Sequence, residues 1–204
     1  MQEILSYIAL SMGVAWASGI NLYAAILVLG LLGTSGNMPL PESLQILHNP
    51  MVIGAAGLMY CIEFFTDKIP GVDSLWDTLH TFIRIPAGAV LAASAVAEVD
   101  PSLTLSAALV GGGLTAATHL TKASTRLLVN TSPEPFSNIG VSLAEDTVVI
   151  GGLWAALHYP VIFLIFLAVF LLLMVWLLPI LWRGVKGIYE TLRGLLKPSS
   201  QLID

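Results

Sequence analysis

Apolar residues run in six long segments separated by short polar breaks, at about 4–33, 50–66, 75–97, 103–128, 138–158 and 160–182. A helix needs roughly 20 apolar residues to cross the hydrocarbon core of a bilayer, and most segments lie near that length. The pattern predicts an all-α membrane protein. It reads as a bundle of about six transmembrane helices over residues 1–182, with a tail at 183–204. The first, third and fourth segments are rich in Gly and Ala and carry polar residues, which suits packing against other helices. The sixth, Val161 to Leu178, carries no polar side chain and is the expected lipid-facing wall. Pro160 fits the first turn of that helix, and Pro179 is expected to kink or end it. The first segment begins without a basic region and runs to Leu32, too long for the apolar part of a signal peptide.

After Trp182, the residues Val185, Ile188, Leu192 and Leu195 recur at helical spacing with Arg and Lys between them. That predicts a C-terminal amphipathic helix on an anionic membrane surface, as an anchor or as a partner-binding element. A candidate repeat lies upstream. Val-Ile-Gly-Ala-Ala-Gly-Leu from Val52 aligns with Leu-Val-Gly-Gly-Gly-Leu from Leu109, which places Glu63 opposite His119. Segments two–three and four–five then read as related helical hairpins, with a site expected at the interface between them.

Composition sharpens the membrane assignment. Of 204 residues 56% are hydrophobic and only 10% charged, with a mean hydropathy of +0.87. Thirteen Asp and Glu against eight Lys and Arg give a net charge of −5, which argues against a nucleic-acid partner. The single cysteine, Cys61, excludes an intramolecular disulfide framework. With six crossings, Lys68, Arg84, Lys122, Arg126, Arg183, Lys186, Arg193 and Lys197 all fall at one side. Glu42, His48, Glu98 and Asp100 mark the other. The positive-inside rule then places both termini in the cytoplasm.

The polar residues inside the segments form stripes. Glu63 and Asp67 lie four apart, and Asp73, Asp77, His80 and Arg84 follow at steps of four, three and four. Thr115, His119, Lys122 and Arg126 repeat those steps in the fourth segment. Such steps keep side chains on one helical face. Asn138, Ser142, Glu145 and Asp146 share one side of the fifth, and Ser11, Ser18 and Asn21 come from the first. Ionisable residues within spans are costly and face a cavity or one another. They read either as structural ion pairs, such as Asp77 with Arg84 and Glu145 or Asp146 with Lys122 or Arg126, or as a path for an ion or polar solute. Glu63, His119, Glu145 and Asp146, with Asn21, are the candidate transport or ligand-binding residues. Asp67, Lys68, Asp73, Asp77, His80 and Arg84 are the candidate cytoplasmic gate or vestibule.

Enzyme signatures are thin. Neither a nucleophile elbow nor a His-Glu-x-x-His pair nor a phosphate-binding loop is present. Asp73 and Asp77 have the Asp-x-x-x-Asp form of magnesium-diphosphate sites in intramembrane prenyltransferases, but only one copy exists. No cofactor is expected, and no particular metal is implied.

The run Glu63 to Ala89, together with Ala144-Glu145-Asp146 and Ser18-Gly-Ile-Asn-Leu-Tyr23, resembles a bacterial membrane-protein family catalogued as domain of unknown function 4126. The resemblance implies a small polytopic inner-membrane protein. The buried polar stripes, rather than the resemblance, carry the expectation of an oligomeric transporter or channel, in contact with lipids, for a cation or proton-coupled polar solute. The alternatives are a non-transporting scaffold or lipid-binding protein, and a metal-dependent lipid-modifying enzyme.

Overall fold

A computed structural model describes residues 2–36, 40–131 and 135–195. These form six α-helices and one short 3-10 segment, with no strand among the described residues. The helices are α1 (Gln2–Thr34), α2 (Pro50–Thr66), α3 (Val72–Ser94), α4 (Pro101–Val129), α5 (Pro135–His158) and α6 (Pro160–Leu195), and the 3-10 segment is Glu42–His48. Four helices open on proline, which has no N–H to leave unpaired in a first turn. Asn49 caps α2 by accepting from the Met51 N–H, and Asp100 caps α4 by accepting from the Ser102 and Leu103 N–H groups. By length and apolarity, α1, α4, α5 and α6 can each cross a membrane, and α2 is a shorter apolar helix. The stripe of Asp73, Asp77, His80 and Arg84 is buried on α3.

α1 departs from the expected single crossing. Its backbone breaks at Asn21, at φ −147 and ψ 97. Before the break, the Ser11 hydroxyl donates to Ala92 O at 2.8 Å, Thr115 donates to Ala15 O at 2.8 Å, and Ile20 O meets Arg84 and Lys122. These partners descend α3 and ascend α4, so α1 starts beside the α3–α4 connection. After the break, Leu27 faces Gly57, Gly30 abuts Ile53 and Leu47, and Gly33 abuts His48. α1 therefore ends beside the start of α2. The Ser43 N–H donates to Glu98 at 2.9 Å, which ties the 3-10 segment to the same α3–α4 connection. Leu10 and Val14 of the first half share one apolar cluster with Leu22 and Leu29 of the second. α1 is thus a folded-back pair of half-helices whose apex is Asn21.

The other five helices alternate in direction between the two ends of the bundle. One end holds both ends of α1 and the exposed acids Glu3, Glu42, Glu98 and Asp100. The other holds Lys68 and the final turns of α6. The start of α1 and the end of α6 consequently lie at opposite ends, which corrects the expectation of two chain termini on one side. Counting every hydrophobic segment as one crossing produced that expectation. α6 likewise runs unbroken through Pro179 and Trp182 to Leu195, so the expected amphipathic segment continues α6 over its described residues instead of starting a new helix. Residues 196–204 lie outside the described residues.

Small residues let the helices approach closely. A Cβ at Gly111 would collide with Ala92, one at Gly88 with Thr115, and one at Gly19 with Thr118. Dispersion between close backbones is the main attraction available in lipid, and α3 packs most extensively against α4. Gly54 and Gly113, by contrast, face open space. Trp16 of α1 is fully buried, edge-on to Phe163, Phe166 and Phe170 of α6 at 5.9, 5.5 and 5.8 Å. The opposite face of α6, including Ile165, Leu172 and Trp176, is exposed, as expected of a lipid-facing wall.

Candidate functional site

The break in α1 exposes polar backbone inside the bundle, and the charged stripes meet it there. Because Asn21 leaves helical geometry, the Ile20 carbonyl has lost its partner along the chain. It accepts from Lys122 Nζ at 3.0 Å and Arg84 Nη1 at 3.2 Å. Asn21 opens the second half of α1, its Oδ1 accepting from the Ala24 N–H at 2.9 Å and its Nδ2 donating to Asp146 Oδ1 at 3.1 Å. Cations thus sit at the negative end of one half-helix and a carboxylate near the positive end of the next, as the helix dipole favours.

Three buried cations bridge the carboxylates. Arg84 reaches Glu63 at 2.6 Å and Asp77 at 3.0 Å. Lys122 reaches Asp67 at 2.9 Å, Glu63 at 3.4 Å, Asp77 at 3.6 Å and Glu145 at 3.7 Å. Arg126 pairs closely with Glu145, reaches Asp67 at 3.3 Å and Asp73 at 4.0 Å, and donates to the Asp67 carbonyl at 2.8 Å and Asn138 Oδ1 at 2.7 Å.

His119 joins at the side. Its Nε2 lies 2.7 Å from Thr81 Oγ1, whose hydroxyl donates to Asp77 O, and its Nδ1 lies 3.4 Å from Arg84 Nη1. A neutral imidazole protonated at Nε2 satisfies both neighbours: it donates to Thr81 and accepts from Arg84.

The charges do not cancel. Six carboxylates, Glu63, Asp67, Asp73, Asp77, Glu145 and Asp146, meet three buried cations, with Lys68 a fourth at the rim. Glu63 Oε2, Asp67 Oδ1 and Asp77 Oδ2 are buried without a hydrogen-bond donor among the described residues. Unpaired charge in a low-dielectric interior is costly, and a proton, a water or a small cation from outside the chain would offset that cost. The carboxylates spread along the basic groups, and no group of three or more His, Cys, Asp or Glu among the described residues is arranged to hold a metal.

The expected division into a deep site and a cytoplasmic vestibule does not match this geometry. Glu63, Asp67, Asp77, Arg84, His119 and Glu145 form one network, and Asn21 with Asp146 forms its edge. Asp73 lies in the first turn of α3, its Oδ1 accepting from the Gly71 and Ser74 N–H groups and from Asn130 Nδ2. His80 stands apart, stacked on Trp76 at 4.0 Å with Nδ1 on the Trp76 carbonyl. Lys68 donates to Phe64 O at 2.8 Å and lies 3.0 Å from the Phe64 ring centroid. Burial lowers the pKa of its ammonium group, while Asp146 and Asp67 act the other way. Sequence reasoning placed Lys122 and Arg126 in a polar stripe, as pairing partners and flanking charges, but not among the candidate site residues. It also missed the Ile20 carbonyl, for which no side-chain signal exists.

The family model described as a domain of unknown function, DUF4126, matches residues 8–180. The chain belongs to the DUF4126 family. No curated protein and no solved structure matches it. The matched stretch contains the α1 break and every member of the charge network, so the network lies within the DUF4126 region and not in an appendage to it.

Proposed function

We propose that this DUF4126 protein is a small membrane transporter or channel for a cation or a proton-coupled polar solute, with the network at Asn21 as its coupling centre. The observation that carries this reading is the buried surplus of carboxylates over basic side chains at a broken helix. Discontinuous helices put backbone charge at mid-membrane sites in secondary transporters, and intramembrane carboxylates serve as proton relays there. The scattered arrangement of the acids favours a proton over a multivalent cation. A site shared by α2–α3 and α4–α5 is also where a duplicated hairpin would place it.

In this reading the protein resides in the bacterial inner membrane, and the end bearing Lys68, Arg183 and Lys186 faces the cytoplasm. The start of α1 then faces the opposite compartment. The exposed apolar faces meet lipid and other copies of the chain in a homo-oligomer.

The test is flux in liposomes containing the purified protein, driven by a pH gradient across a panel of cations and polar solutes. Flux that is lost in Glu63→Gln and Glu145→Gln, both still folded, supports the reading. Flux unchanged in those variants overturns it. A second reading, a structural scaffold, is favoured by the observation that every buried cation bridges at least two carboxylates. It requires that single neutralisations lower thermal stability, that paired neutral substitutions such as Glu63→Gln with Arg84→Met restore it, and that no solute moves.

A further inference from the structure

Apart from Trp16 Nε1 and His48 Nε2, the buried side-chain polar atoms without a hydrogen-bond partner among the described residues lie between the α2–α3 turn and the Asn21 break. They follow a column of cations. Arg126 has Asn138 Oδ1 at 2.7 Å and Asp73 Oδ2 at 4.0 Å, Lys122 has Asp67 at 2.9 Å, and Arg84 has Glu63 at 2.6 Å and Asp77 at 3.0 Å. The column begins at the surface, where the half-buried Asn130 donates to Asp73 Oδ1 and to Ser74 Oγ. From Asp73 to Arg84, α3 rises roughly 16 Å, about half the thickness of a bilayer's hydrocarbon core.

Packing changes beyond the break. There the Ser11 and Thr115 hydroxyls donate to Ala92 O and Ala15 O, so these polar groups are satisfied within the chain. Gly88 and Gly111 lack room even for a methyl group, and Val14, Ala92 and Ala95 are fully buried. A space narrower than a water molecule stays dry.

The unpartnered atoms on the column are of both kinds. Asp73 Oδ2, Asp67 Oδ1, Glu63 Oε2 and Asp77 Oδ2 need donors, whereas Asn138 Nδ2 and Arg84 Nε need acceptors. A metal ion would leave the two nitrogens unserved, and an anion would face the carboxylates. Water donates and accepts, so it serves every member of the set. Asp67 with Glu63, and Asp73 with Asp77, lie one helical turn apart, a rise of about 6 Å. One water bridges such a step with two hydrogen bonds of about 2.8 Å.

We propose that a file of water enters at the α2–α3 turn, passes Asp73, Asn138 and Asp67, and ends at Glu63 and Asp77 against the tightly packed half. The result is an aqueous half-channel, open at the end that bears Lys68 and closed toward the other. The inference deepens the transport reading and rests on it for the role of the water: protons exchange with the network from that end alone.

The test is solid-state NMR of the whole protein in deuterated lipid, with magnetisation transferred from water and read at assigned side chains. The carboxyl carbons of Asp73, Glu63 and Asp77 are expected to gain signal as fast as exposed Glu98, and Leu91 and Ala92 to lag by about tenfold. Asn138→Leu blocks the file beside Arg126 without changing a charge. It is expected to spare the transfer to Asp73 and to slow that to Glu63 and Asp77 by about tenfold. The wild-type comparison decides by itself if the variant does not fold. Glu63 and Asp77 as slow as Ala92 would mean a dry network, and Leu91 and Ala92 as fast as Glu63 would mean a pore open to both ends. Either result overturns the proposal, as does unchanged transfer in folded Asn138→Leu. Fast transfer to Glu63 in a protein that moves no solute leaves the half-channel standing and removes the transport reading. Flux through a protein with a dry network does the reverse.

Discussion

Lys122 Nζ lies 3.0 Å from the carbonyl oxygen of Ile20, 102 residues away in sequence, where α1 gives up helical geometry. The contact joins the two departures from a plain helical bundle: a helix that doubles back and a buried lysine ringed by carboxylates. Without the contact Ile20 O keeps only Arg84 and Lys122 keeps only its carboxylates, and a buried polar group that loses a partner is costly inside the bundle.

Lys122→Met is therefore expected to cost about 3–5 kcal/mol, as breaking a buried pair does. It leaves Asp67 with Arg126 alone and deprives Glu63, Asp77 and Ile20 O of a partner. Thermal unfolding in detergent measures the loss. Lys122→Met combined with Asp67→Asn is expected to recover part of it, since the double change removes charge of both signs.

Asn21 caps the second half of α1 and holds Asp146, so Asn21→Ala is expected to cost about 1–2 kcal/mol. Asn21→Asp keeps a capping oxygen but sets a second carboxylate against Asp146, 3.1 Å from the present amide nitrogen. It is expected to be the more damaging of the two at neutral pH. Comparing the midpoints of the two variants checks the order.

The glycines separate into two classes. Gly19→Ala would put a methyl group into Thr118 and 2.6 Å from the Thr115 carbonyl oxygen, a backbone atom that cannot swing aside. A loss of about 1–3 kcal/mol is expected from overpacking. Gly113→Ala meets nothing within 4 Å and is expected to be neutral or slightly stabilising. The same unfolding assay reads both.

Asp100 gives a pH signature outside the membrane-spanning part of α4. The Ser102 hydroxyl, and then the Leu103 and Ser102 N–H groups, hold its carboxyl below the ordinary value of 3.8. A lowered folded pKa means the cap contributes fully above that value and is lost as pH falls through the folded one. The stability difference between wild type and Asp100→Asn is expected to be constant near neutral pH and to shrink in acid.

The folded-back α1 predicts labelling from a particular side. In a Cys61→Ala background, Glu3→Cys and Asp100→Cys are expected to react with an impermeant maleimide from the same side of the membrane, and Lys186→Cys from the other. Reaction of Glu3→Cys and Lys186→Cys from one side would contradict the course assigned to α1.

Much of this was legible in the chain. Four helices open at prolines that the sequence displays, and the burial of Asp77, His80 and Arg84 follows from their four-three-four spacing on a helix. Asp77 with Arg84 and Glu145 with Arg126 pair as charge and register suggested. The fold of α1 was hidden because Ser18-Gly-Ile-Asn-Leu-Tyr23 interrupts no apolar run and contains no proline. What makes Asn21 a helix start is Asp146, 125 residues away. The end of the bundle at which α1 starts was hidden for the same reason: with the break at Asn21 unsignalled, the first segment read as one crossing.

In the proposed function, exchangeable protons balance the surplus carboxylates at the α1 break. Infrared spectroscopy of the protein in lipid, in buffer whose only added cation is choline, tests this directly. A protonated-carboxyl C=O band is expected at neutral pH, shifting in D2O and weakening in Glu63→Gln or Asp77→Asn. A folded protein with no such band, or with a band untouched by either substitution, would contradict it.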